Sequence, residues 1–78
     1  MTHIHHTLAE EFSEHLDKMH NMKLTNQYFV NLHEKYDKAN EEINQIESGL
    51  EPTSDIFLED LKKKRLVLKD EIYTLITA

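Results

Sequence analysis

Residues 29–46 have the sequence FVNLHEKYDKANEEINQI, and residues 58–75 have the sequence LEDLKKKRLVLKDEIYTL. Each segment repeats mostly apolar residues at alternating steps of three and four, a spacing that places side chains on one face of an α-helix. A chain reversal near Pro52 would join the two rows in a single register. The facing pairs would be Ile46 with Leu58, Ile43 with Leu61, Ala39 with Arg65, Tyr36 with Leu68, Leu32 with Ile72, and Phe29 with Leu75. We therefore predict an all-α fold, an antiparallel two-helix coiled-coil hairpin with this apolar seam.

The rest of the chain fits the same fold class. It has 78 residues, enough for one domain, with only one Gly and one Pro. So little loop-forming sequence indicates a mainly helical protein. We expect a flexible His-rich N-terminus at residues 1–6 and a single helical-hairpin domain at residues 7–78. The predicted helices span about residues 7–22, 26–48 and 54–76, and the first is a shorter N-terminal helix.

Capping residues stand near most of these boundaries. Gly49 follows the second predicted helix, where the left-handed conformation is common and costs Gly little. Side chains that can accept a hydrogen bond from a free N-terminal amide precede each helix. These candidate caps are Thr7, then Thr25 or Asn26, then Thr53 or Ser54.

One flank of the predicted hairpin has unpaired positive charge and apolar side chains outside the seam. We take it as the candidate interaction surface: Val30, His33, Leu66, Lys69, Tyr73 and Ile76. The N-terminal segment has a helical apolar stripe of Leu8, Phe12, Leu16, Met19 and Met22. Its complement to the flank is Leu8, Phe12 and Met19, with Glu10, Glu11, Glu14 and Asp17. We expect the flank to be covered either by the chain's own first helix or by another subunit, and the sequence leaves both open.

Charged residues of the hairpin favour the same register. On the other flank, Glu42 would face Lys64 and Lys35 would face Glu71, two attractive pairs. Within the seam, Arg65 would face the small Ala39, which leaves room for the Arg stem to cross and its guanidinium to reach water. The alternative for Arg65 is an anion site.

Composition argues against several function classes. The net charge of −6 opposes general nucleic-acid binding, and no apolar run is long enough for a membrane span. The one basic run is Lys62–Arg65, but consecutive residues on a helix point in different directions, so a nucleic-acid accessory role is only a third hypothesis. The absence of Cys suits the cytoplasm, and we expect no signal peptide.

Histidines suggest an alternative function, transition-metal binding. His3, His5 and His6 cluster at the start of the chain, and His15 could add a further ligand. Imidazole nitrogen suits Ni²⁺, Cu²⁺ and Zn²⁺. The spacing matches neither a closed structural zinc site nor a hydrolytic one, and a polar N-terminus without metal is the simpler interpretation.

Catalytic signatures are missing from the sequence. It has no Gly-rich phosphate loop and no nucleophile elbow, and a thin hairpin offers little space that excludes water. We therefore expect a protein that is not an enzyme, with no cofactor and no small-molecule substrate. The leading hypothesis is a protein–protein interaction or self-association module, with a homodimer as its simplest form.

A family resemblance rests on the third predicted helix. Residues 61–73, with the sequence LKKKRLVLKDEIY, resemble the YdcH-like family of small bacterial proteins. Phe29 and Leu32 upstream and the connection Thr53–Asp55 extend the resemblance to about residues 8–78. It implies a small helical hairpin from the bacterial cytoplasm, of uncharacterised function, and supplies no catalytic or binding residues.

Two departures from that family matter. Ile56 stands where many members carry an acidic residue that would complete a capping box with Thr53. The His-rich start is particular to this sequence, so a metal role would not extend to the family.

Overall fold

The computed structural model describes residues 6–49 and 53–78. Four α-helices and one 3₁₀ turn make up nearly all of this part of the chain, and it contains no strand. In order they are α1 (Leu8–Glu11), the 3₁₀ turn (Ser13–His15), α2 (Leu16–Thr25), α3 (Gln27–Glu47) and α4 (Asp55–Thr77). The two long helices, α3 and α4, pack against each other as a hairpin, which confirms the predicted all-α hairpin fold.

Packing follows the predicted seam. Every predicted seam residue is buried or half-buried, and Phe29, Tyr36, Ile43 and Ile72 are fully buried. The main core lies where the N-terminal segment joins the hairpin. It consists of Leu8, Phe12, Met19, Phe29, Leu32, Tyr36, Leu68, Ile72 and Ile76. Seam residues nearer the chain reversal, such as Ile46 and Leu58, are only half-buried because the N-terminal helices do not extend that far.

The N-terminal segment is not the single helix predicted for residues 7–22. The backbone at Phe12 leaves the helical region, with φ −124° and ψ 47°, and α2 then continues to Thr25. The two pieces dock on different partners, because Glu11 and Phe12 contact α4 whereas α2 packs mainly against α3. The break also changes the helical phase, so that Leu16 is 48% exposed instead of continuing the buried stripe.

Side-chain caps start three of the helices. Thr7 Oγ1 accepts from the Glu10 amide at 3.3 Å, Asn26 Oδ1 from the Phe29 amide at 3.1 Å, and Ser54 Oγ from the Phe57 amide at 3.2 Å. Of the candidate caps, Asn26 and Ser54 therefore act rather than their neighbours Thr25 and Thr53.

Gly49 follows α3 with φ 83°, as predicted for a residue ending a helix, while the connection at residues 50–52, including Pro52, lies outside the described residues. In the part of the chain that is described, no helix combines the length and apolarity needed to cross a bilayer.

Candidate interaction surface

The flank predicted to be covered is covered in part by the chain's own N-terminal segment. Phe12, only 7% exposed, stacks on the Tyr73 ring with the ring centroids 5.7 Å apart. The His15 ring meets Tyr73 edge-on at 6.2 Å. One turn away, Glu11 Oε2 lies 3.2 Å from Lys69 Nζ. An aromatic contact and an ion pair thus hold α1 and the 3₁₀ turn against α4.

The remaining predicted surface residues lie in different environments. Ile76 is buried in the core one turn after Ile72, so a partner could contact it only if the fold opened, and we remove it from the candidate surface. Val30 and His33 are half-buried on α3. Leu66 stays open to solvent, with 55% of its surface exposed, and Tyr73 keeps 49% exposed despite its contact with Phe12.

The half-buried surroundings of His33 disfavour the charged form of its imidazole. Burial lowers the pKa of the imidazole below its ordinary 6.5, and the nearby Lys23 charge lowers it further. The Asp37 carboxylate, 3.3 Å from Nδ1, and the Glu34 carboxylate act in the opposite direction. The Phe29 ring lies 5.9 Å away, centroid to centroid. His33 is therefore a packing residue that stays neutral around neutral pH.

Hydrogen bonds also hold His6, the first residue that the structure describes, against the core. The buried Tyr36 hydroxyl donates to the His6 carbonyl oxygen at 2.5 Å, and burial raises the pKa of that hydroxyl to about 12. His6 Nδ1 lies 2.6 Å from Glu11 Oε1. Hydrogen bonds from His6 and Lys69 hold the pKa of the Glu11 carboxyl below its ordinary value. This role of Tyr36 was not predicted from the sequence, although a buried Tyr usually needs a partner for its hydroxyl.

Arg65 is half-buried, and its guanidinium has a partner on α3 that the sequence did not predict. Arg65 Nη1 donates to Asn40 Oδ1 at 2.9 Å, and Asn40 is only 2% exposed. Lys62 forms an ion pair with Glu47 on α3, with Nζ 3.2 Å from Oε2. The basic run is thus dispersed, because Lys62 and Arg65 turn toward α3 while Lys63 is exposed.

Neither pair predicted for the other flank is among the ion pairs between described residues, which are His6–Glu11, His33–Asp37, Lys62–Glu47 and Lys69–Glu11. The predicted pairs were Glu42–Lys64 and Lys35–Glu71. Glu71 instead accepts a hydrogen bond from the Tyr28 hydroxyl at 3.3 Å. Exposed ion pairs contribute at most about 1 kcal/mol, so such side chains readily take other partners.

A polar cleft lies where the N-terminal segment meets the hairpin. Its volume is about 240 Å³. The lining residues are His6, Glu11, Tyr36, Lys62, Arg65, Leu66 and Lys69. Three of them are cations and one is a carboxylate.

The side of α4 turned away from the seam carries exposed apolar residues. Leu66 and Val67, near the middle of the helix, are 55% and 56% exposed. Three more exposed residues lie on the same side of the helix: Lys63, Asp70 and Thr74. Each is three or four positions from Leu66, from Val67 or from another of the three, which is the spacing of neighbours on one helix face. We call these five residues the outer face of α4.

The predicted metal ligands are not assembled in the described part of the chain, which contains no group of three or more His, Cys, Asp or Glu residues able to hold a metal ion. His6 contacts Glu11, and His15 lies against the Phe12 and Tyr73 rings. His3 and His5 lie outside the described residues, so metal binding through the N-terminus stays a prediction.

Comparison with known proteins identifies the family. A family model described as "Protein of unknown function (DUF465)" matches residues 29–76, which cover α4 up to Ile76 and all of α3 except its first two residues. No curated protein and no solved structure matches the chain. The matched segment is more than half of the chain and coincides with the helical hairpin, and the chain therefore belongs to the DUF465 family of proteins of unknown function.

Proposed function

We propose that this protein is a small, non-enzymatic protein–protein interaction module that associates with a second copy of itself through the outer face of α4. The observation that supports this most is the adjacent pair Leu66 and Val67, two large apolar side chains more than half exposed at the middle of the longest helix. A chain of this size gains little stability from a single core, and association adds to it.

Helix geometry offers a two-fold symmetric arrangement for this contact. In a homodimer with two-fold symmetry the same patch serves both subunits, and residue i of one copy meets residue j of the other in both directions. If two α4 helices pack antiparallel about a point between residues 66 and 67, Leu66 lies opposite Val67 of the second copy. The apolar centre of the contact is then complete without any other element.

Charges at the edges of the patch complement each other in that arrangement. The same antiparallel register brings Lys63 opposite Asp70 of the second copy, and symmetry repeats the pair. Opposite charges around an apolar contact favour the correct register and disfavour others. The net charge of −6 makes a specific attractive pairing more important, because two copies otherwise repel each other.

The resemblance to the YdcH-like family supports a second part of the proposal, which concerns the family and its compartment. The match to DUF465 is compatible with it and covers the same hairpin. We infer that the chain is a YdcH-like protein of the bacterial cytoplasm and that the hairpin, which the family model spans, carries the family's shared role.

Light scattering behind size exclusion over a dilution series tests self-association. We expect the wild-type mass to rise toward that of a dimer with concentration, and Leu66→Glu with Val67→Glu to keep the protein monomeric because charge replaces the apolar centre. Leu24→Glu is the matched control, since Leu24 is an exposed leucine on α2 and is not part of the outer face of α4. A wild-type monomer at every concentration would contradict self-association and leave a different protein as the partner to identify.

A further inference from the structure

We propose that the cleft between α3, α4 and the N-terminal segment binds a compact oxyanion, a phosphate or carboxylate group. This site adjoins the self-association surface on the outer face of α4, because Leu66 belongs to that face and also lines the cleft, whereas the charged residues of the cleft lie outside that face. The lining cations are Lys62, Arg65 and Lys69. Lys69 pairs with the lining carboxylate of Glu11, and Lys62 pairs with Glu47. The Arg65 guanidinium instead contacts the neutral Asn40. Among these described residues the cations outnumber the carboxylates by one, in a chain whose net charge is −6, and Arg65 supplies the excess positive charge. A concave site lined mainly by one sign of charge attracts the opposite one.

Arg65 is the residue held most firmly for this role. Arg65 is half-buried, and the buried Asn40 on α3 fixes one nitrogen of its guanidinium at 2.9 Å. Asn40 is neutral, so the hydrogen bond orients Arg65 without cancelling its charge. A guanidinium has five N–H donors in a planar fork that matches the oxygens of phosphate and carboxylate groups.

Glu11 shows how a carboxylate binds in this cleft. Its carboxylate already binds inside the cleft, with Oε2 3.2 Å from Lys69 Nζ and Oε1 2.6 Å from His6 Nδ1. An external oxyanion next to Arg65 would therefore share Lys69 with Glu11 or compete for it. Removal of the Glu11 charge should strengthen binding, a result that a merely structural cluster of cations would not give.

The size and charge of the cleft favour a small group over a polyanion. Its volume of about 240 Å³ lies below the usual range for drug-sized ligands, roughly 300–1,000 Å³. Lys63, the neighbour of Lys62 in the basic run, is exposed on the outer face and does not line the cleft. A nucleic-acid strand would thus meet few consecutive cations, together with the repulsion of the chain's negative charge.

The test is an NMR titration of the full-length protein with inorganic phosphate at constant ionic strength. We expect saturable shifts of the amide signals around Arg65, Leu66 and Lys69, with Kd of about 1 mM or tighter. Arg65→Gln should weaken binding about tenfold, and Lys69→Gln provides a second removal of charge that leaves the seam intact. Lys64→Gln, one residue before Arg65 and outside the cleft, is the matched control and should bind as the wild type does.

Further variants separate the site from its alternatives. Glu11→Gln should tighten phosphate binding several-fold, and Lys63→Glu, which alters the self-association surface, should leave it unchanged. A parallel titration with acetate shows whether a carboxylate is accepted as well as phosphate. The proposal is overturned if no saturable shift occurs with either anion, or if Arg65→Gln and Lys69→Gln both bind like Lys64→Gln in proteins that circular dichroism shows to be folded.

Discussion

Tyr36 is the residue at which the core and the N-terminal segment depend on each other. Its ring is fully buried in the seam, and its hydroxyl donates to the His6 carbonyl oxygen. Ionisation would place a negative charge in the core and remove the donated proton, which is why burial raises the pKa to about 12 from an ordinary 10.0.

Alkaline pH should therefore destabilise the protein through Tyr36. Its contribution is fully present below pH 10, and it is lost as pH rises toward about 12, because the unfolded state releases the proton first. Tyrosinate absorbance followed alongside circular dichroism checks this, and we expect one of the three tyrosines to ionise only with unfolding. Tyr36→Phe should remove that step. Ionisation of all three tyrosines while the helices remain intact would contradict it.

His33 should make the stability of the protein depend on pH in the mildly acidic range. Its pKa in the folded protein lies below 6.5, so the unfolded state binds the proton first as pH falls, and the free energy of unfolding decreases below about pH 6.5. Denaturant titrations at pH 7.5 and at lower pH measure this loss. His33→Gln should reduce it, whereas His20→Gln, at an exposed position on α2, should not. An unchanged pH dependence in His33→Gln would show that this imidazole is not the cause.

At the scale of the elements, the sequence predicts the hairpin well and the N-terminal segment less well. The alternation of three and four residues from Phe29 to Leu75 sets the buried face of two long helices, and local hydrogen bonds at Asn26 and Ser54 start them. The break at Phe12 has no such local signal. Leu8, Phe12 and Leu16 fit one continuous helix, and the docking of Phe12 on Tyr73 decides otherwise.

Two substitutions that shorten a side chain to Ala test this break in the helix. Phe12→Ala should lower the free energy of unfolding by roughly 3 kcal/mol, because it empties a buried aromatic site between α1 and α4. Leu16→Ala should cost less than about 1 kcal/mol, because the side chain is 48% exposed. Chemical denaturation monitored by circular dichroism compares them. Equal losses would support a continuous helix with both residues on one buried face.

The candidate surfaces were predictable from the sequence only in outline. The spacing of Leu66, Lys69 and Tyr73 marked a flank of α4 that needed cover, and Glu11 and Phe12 were among the residues proposed to supply it. The spacing did not predict which polar partner each long side chain contacts. Arg65 hydrogen-bonds to Asn40, and Lys62 forms an ion pair with Glu47. These partners depend on which groups the packed helices bring within reach of the long side chains.

The whole molecule combines one flank that its own N-terminal segment partly covers with one exposed face of α4. The N-terminal segment folds onto the hairpin through Phe12 and Glu11, which leaves the outer face of α4 as the apolar surface proposed to meet a second copy. The size of the chain, 78 residues, makes such association a means of stabilisation as well as recognition.

The most direct test of that central claim is sedimentation equilibrium on charge variants of the proposed contact. Lys63→Glu alone and Asp70→Lys alone should each weaken the dimer, because either places like charges opposite each other, and the double variant should restore it by reversing the pair. Lys38→Glu, on the exposed side of α3, controls for the change in net charge. Recovery in the double variant is the predicted result, and equal weakening in the single and double variants would contradict an antiparallel contact between two α4 helices.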